Sequence, residues 1–115
     1  MAGDDLDRAA TELTRRLRRW APASWAVRAA TGGIVRGGAA AGSRADAVHR
    51  TVQRLADLAA AAERRPPRQV PRLDDRILPD QLAVMAHDID RSGDPATRRA
   101  ALAELTALRI ALGLR

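Results

Sequence analysis

The sequence predicts an all-α fold, a four-helix bundle formed as a single domain over residues 1–115, and three observations carry that expectation. Four segments space their apolar residues three and four apart, which lays them along one face of a helix. Start and stop signals bracket those segments, with Ser, Asp and Pro at their beginnings and Gly or Pro just beyond their ends. Alanine fills more than a fifth of the positions, and a core of Ala and Leu suits helices that approach one another closely.

The first helix is expected over 4–20. Its stripe is Leu6, Ala10, Leu13, Leu17 and Trp20, with Asp4 or Asp5 as N-cap and the early acids placed against the positive end of the helix dipole. Arg8, Arg15, Arg16, Arg18 and Arg19 fall on the opposite surface, and Pro22 marks the exit. Residues 21–42 then read as a long loop broken by Gly32, Gly33, Gly37, Gly38 and Gly42. Trp25, Val27, Ile34 and Val35 are expected to pin this loop onto the bundle, a small hairpin turning at Thr31 to Gly33 being the other arrangement they allow.

Ser43 followed by Asp46 resembles a capping box with Asp in place of Glu, and it opens a second helix over 43–64. The stripe there is Ala45, Val48, Val52, Leu55, Ala59 and Ala62. Pro66, Pro67 and Pro71 stop it, so 65–77 reads as an extended, polyproline-like linker. Pro79 fits the first turn of a third helix over 78–92, with Leu78, Leu82, Met85 and Ile89 on its face. Asp94 and Pro95 then give a cap and a first position for a fourth helix over 94–113, whose stripe of Ala101, Leu105, Leu108 and Leu112 ends at Gly113.

All twenty basic side chains are arginine, and cysteine, phenylalanine, tyrosine and asparagine are absent. A GC-rich coding bias produces that pattern, so an arginine is not by itself a ligand. Without cysteine there is no disulfide framework, no thiol nucleophile and no thiolate zinc site. Asp4, Asp5 and Asp7 are the reverse of a basic leader, and no apolar run approaches the roughly 18 residues needed to cross a bilayer. Neither secretion nor membrane insertion is expected, and the cytoplasm is the default compartment.

Coding bias does not choose where the acids go, and they are unevenly placed. Residues 8–72 carry a net charge of +10, against −3 for residues 1–7 and −1 for residues 73–115. Such a basic half is an electrostatic footprint for nucleic acid, with Arg15, Arg16, Arg18, Arg19, Arg64, Arg65, Arg68 and Arg72 as candidate phosphate contacts. The alternative is a solvated helix face and a basic linker docked on the acidic half. Aromatic interleaving for base stacking is missing, and the short connection from Ser92 to Asp94 offers little to a helix-turn-helix.

Catalytic constellations are scarce. Ser24, Ser43 and Ser92 lack evident His and carboxylate partners, and the glycines form no phosphate loop, which would also need a lysine. Only His49 and His87 are present; with Asp88 or Asp90 they would supply two imidazoles and a carboxylate to a metal if their helices pack as neighbours. A first helix ending before Trp25, a loop, and then SRADAVHRTVQRLADLAA with His49 early in the second helix resembles the front half of the DinB and mycothiol-dependent transferase family, over residues 6–62. That resemblance implies a metal-binding four-helix bundle, with His49 as a ligand and His87 standing for the family's later histidines. In style the whole chain is similar to the Ala/Arg-rich helical proteins of actinobacteria. The leading expectation is nonetheless a non-enzymatic bundle with no cofactor that binds protein, as a homodimer or with a small partner, through Trp20, Trp25 and Ile34. Nucleic-acid binding by the basic half and divalent-metal binding are the two competing expectations.

Overall fold

The computed structural model describes residues 2–30 and 42–114, with side chains from residue 5 onward. The chain is helical, and among the described residues the sole extended pairing is an isolated antiparallel bridge between Arg28 and Ser43. In chain order α1 spans Ala2–Leu17, α2 Pro22–Ala26, α3 Arg44–Ala62, α4 Leu78–Ser92 and α5 Pro95–Ala111, with a 3-10 turn at Asp75–Ile77 leading into α4. Among the described residues no helix is long and apolar enough to cross a membrane.

Each long helix forms where its apolar stripe finds cover. Leu6, Ala10, Leu13 and Leu17 of α1 are buried, as are Ala45, Val48, Val52 and Leu55 of α3 and Leu78, Leu82 and Ile89 of α4. Ala101, Leu105 and Leu108 of α5 join them, together with Leu112 just beyond it. α1 and α3 each pack against both α4 and α5, so one contiguous core runs between the four. Two stripes drift by a residue at their ends: Ala60 is buried where Ala59 was expected, and Ala86 lies deeper than Met85.

The expected helix over 4–20 is three residues too long at its C-terminal end. Residues preceding a proline are pushed toward extended backbone, and Ala21, just ahead of Pro22, sits at φ −74° and ψ 159°. Trp20 therefore leaves the helix and turns onto the surface of the core. The expected loop 21–42 opens with α2, a single turn that Pro22 starts and that carries Trp25 into the core, so the pinning predicted for this residue is met. Val27 is 44% exposed and ties the segment to α3 only through its backbone, its carbonyl accepting the Arg44 N–H at 2.7 Å. Ile34, Val35 and the hairpin at Thr31 to Gly33 lie outside the described residues.

The cap of α3 forms as the sequence suggests. Ser43 Oγ accepts the Asp46 N–H at 3.1 Å, and Asp46 Oδ2 accepts the Ser43 N–H at 3.0 Å. Gly42 permits this, because a Cβ at that position would overlap the Asp46 carboxylate. α3 ends at Ala62 instead of Arg64, whose φ of +56° turns the chain out of the helix. α4 stops at Gly93, which adopts the left-handed φ of +78° that closes helices at low cost only in glycine.

The linker is not the free spacer its composition suggests. From residue 65 to 74 it lies as a strap along α3 and α4, exposed except at Val70, which is 7% exposed and joins the core. Arg72 anchors its far end on Asp46 of α3 at 3.1 Å and on Asp75 at 3.7 Å.

Candidate protein-binding surfaces

Three surface features could carry function, and each follows from where the chain leaves its helices. The first lies where Trp20, the turn into α2 and the end of the strap meet. Trp20 and Trp25 pack edge to face, with centroids 4.9 Å apart and planes at 74°, and the Arg44 guanidinium lies 5.1 Å from the Trp20 ring. Beside them opens a hollow of about 490 Å³, bordered by Trp20, Pro22, Leu73 and the polar residues Asp74, Asp75 and Arg76. Leu73 is 50% exposed, and Ile77, in the adjoining 3-10 turn, is 39% exposed.

Asp74 on this rim is held in its charged form. Asp74 accepts the Arg76 backbone N–H at 2.9 Å and the Arg76 side chain at 3.3 Å, which lowers its pKa below the usual carboxylate value. The surface thus sets an apolar centre beside the carboxylates of Asp74 and Asp75 and the Arg76 guanidinium.

The second feature is the strap and the helices beneath it. Gln53 Oε1 accepts the Val70 N–H at 2.7 Å while Gln53 Nε2 donates to the Arg68 carbonyl at 2.9 Å. His49, one turn earlier on α3, pairs through Nε2 with the Val70 carbonyl at 3.2 Å, and Gln81 of α4 donates to the Pro71 carbonyl at 3.3 Å. An acceptor such as a carbonyl fixes His49 with its proton on Nε2.

The third is a hollow of about 360 Å³ between α1 and α4, with Thr11 and Thr14 facing Val84, His87 and Asp88. Val84 is 54% exposed and His87 is exposed. Arg18 and Asp80 close one end with an exposed ion pair at 3.0 Å.

These placements decide what becomes of the residues singled out from sequence. His49 faces the strap and His87 the α1/α4 hollow, while Asp90 is engaged by Arg98, whose guanidinium takes the Asp90 carbonyl at 2.8 Å. Among the described residues no group of three or more His, Asp or Glu side chains is positioned to hold a metal ion, so His49, His87 and Asp88 are not brought together. Of the eight candidate phosphate contacts, Arg18 pairs with Asp80, Arg65 with Glu63, and Arg72 with Asp46 and Asp75. Trp25, expected as an exposed interface residue, is only 2% exposed because α2 turns it inward; Trp20 is half-buried, and Ile34 lies outside the described residues.

Sequence reasoning passed over Leu73, Ile77, Gln53, Val70 and Gln81. For Leu73 and Ile77 a signal existed, since both are large apolar residues in a linker otherwise rich in Arg, Asp and Pro. For the glutamines none did, because their partners are backbone groups of a distant segment. Comparison with known proteins finds no matching family model, no matching curated protein and no matching solved structure.

Proposed function

We propose that this chain is a four-helix bundle that works by binding protein, its partner being a second copy of itself. The observation that carries the reading is the exposure of Leu73 and Ile77 beside the Trp20 hollow. A two-fold interface needs one patch that offers both a protrusion and the recess that receives it. Here Leu73 is the protrusion and the space by Trp20 the recess. The same patch carries the carboxylates of Asp74 and Asp75 and the Arg76 guanidinium, so a two-fold axis can bring opposite charges together.

The expected association is weak. Covering the exposed parts of Leu73 and Ile77 on both copies contributes only about 1 kcal/mol per side chain, and association entropy offsets much of that. Four such side chains give about 4 kcal/mol at most, so the dissociation constant is on the order of 1 mM or weaker. Sedimentation of the purified protein over about 0.05 to 3 mM tests this, since it spans about 1 mM. A monomer throughout, with full helicity, overturns the reading.

Nucleic-acid binding is the competing outcome, and the two respond differently to salt. Phosphate contacts release counterions, so retention of DNA or RNA falls steeply between about 50 and 200 mM salt. A contact with an apolar centre persists across that range, because its rim ion pairs contribute little. Engagement of Arg18, Arg65 and Arg72 by carboxylates favours the protein-binding reading.

A further inference from the structure

We propose that the groove between α3 and α4 is a binding site for an extended peptide segment of another protein, with a small aliphatic residue at its centre, and that the chain's own strap keeps it closed. Four side-chain hydrogen bonds hold residues 68–71, and every one goes to the strap's backbone. Gln53 offers one acceptor and one donor to the N–H of Val70 and the carbonyl of Arg68, much as a neighbouring strand would. His49 and Gln81 add donors to the carbonyls of Val70 and Pro71. The one strap side chain that is buried is that of Val70; residues 65–69 and 71–74 are exposed, Arg72 reaching Asp46 in an exposed ion pair.

Recognition of this kind depends on extended backbone and one aliphatic side chain, and nothing in it requires a covalent link to α3. Two further observations indicate that the strap does not exhaust the groove. A hollow of about 310 Å³ continues beside Val70 along Ala56, Ala60 and Met85. Gln81 Oε1 is also buried with no hydrogen-bond partner among the described residues, next to a strap residue, Pro71, that has no N–H to offer. An incoming segment that carries an N–H there would fill the vacant acceptor.

A strap tethered at both ends competes at an effective concentration on the millimolar scale, so the site is latent until the strap is released. Prolines at 66, 67 and 71 keep the strap extended and lower the entropy lost on docking, for the strap and for a ligand of like sequence.

Full-length Val70→Asp protein, in which the strap cannot seat, is titrated into a fluorescein-labelled peptide of sequence PPRQVPRL and followed by anisotropy. Arg72 of the strap pairs with Asp46 and Asp75, so binding is also measured at about 0.5 M salt, where an exposed charge contact is screened and the backbone contacts persist. The expected result is saturable binding at least tenfold tighter than to the natural chain, lost at least tenfold when Gln53→Ala is added. Absence of binding to a Val70→Asp protein with an unchanged helical circular dichroism spectrum overturns the proposal, as does binding indifferent to Gln53→Ala. If Val70→Asp does not fold, Val70→Ala replaces it under the same criteria.

Discussion

Replacing Asp46 by alanine removes three interactions at the start of α3, and their sum can be estimated from the geometry. The carboxylate accepts the Ser43 N–H at 3.0 Å, pairs with Arg72 at 3.1 Å and carries negative charge in the first helical turn. The reciprocal capping bond contributes about 1 kcal/mol, the charge near the helix N-terminus about 0.3 to 1, and the half-exposed ion pair a few tenths. A loss of about 1.5 to 2 kcal/mol is expected at pH 7. For a chain of this size that lowers Tm by about 6 to 8 °C.

The effect has a defined pH dependence. The Ser43 backbone N–H is the main cause that holds the Asp46 carboxyl below its usual value of 3.8, with Arg72 adding to it and partial burial opposing. A group whose folded pKa is depressed stabilises the fold fully above its unfolded value and loses that contribution as pH falls through the folded one. The gap in Tm between natural and Asp46→Ala protein should therefore be constant from neutral pH down to about 4 and narrow at lower pH. Thermal melts followed by circular dichroism at pH 7 and at about pH 2.5 measure both numbers. A Tm at pH 7 within about 2 °C of the natural protein, or a gap undiminished in acid, would refute the reasoning.

Three further substitutions separate core, surface and backbone effects. Leu55 is fully buried in α3, so Leu55→Ala should lower the unfolding free energy by about 2 to 5 kcal/mol in urea titrations, while Val84→Ala, at a 54% exposed site, should change it by less than about 1 kcal/mol. Gly93→Ala meets nothing within 4 Å, so its expected cost of about 1 kcal/mol is backbone strain at φ +78° alone and should appear as a Tm about 4 °C lower.

The parts of the fold that rest on local physics were legible in the sequence. Helix α3 announced itself through Ser43 and Asp46, α5 through Asp94, Pro95 and an unbroken Leu stripe, and the end of α4 through Gly93. Where a stripe continued past its helix, as at Trp20, periodicity misled, because the backbone preference of the residue before Pro22 outweighs one more apolar position. The docking of the strap was legible only in part: a basic linker lying on acidic residues was one expectation, and Arg72 pairs with Asp75 and with Asp46. Three prolines correctly indicate extended backbone, but docking depends on Gln53, His49 and Gln81 meeting carbonyl and amide groups that every residue possesses. Backbone partners leave no trace in side-chain identity. The same holds for the Trp20 hollow, which exists because α2 turns Trp25 inward and leaves Leu73 and Ile77 outside.

Self-association through that hollow is tested most directly by sedimentation equilibrium of the natural chain beside Leu73→Asp. A charge at a 50% exposed position leaves the core untouched, so both proteins should share one circular dichroism spectrum. The mass of the natural chain should rise toward that of the dimer as concentration passes through about 1 mM, while Leu73→Asp stays at the 12.4 kDa monomer. Identical masses for the two across the whole range would contradict the account.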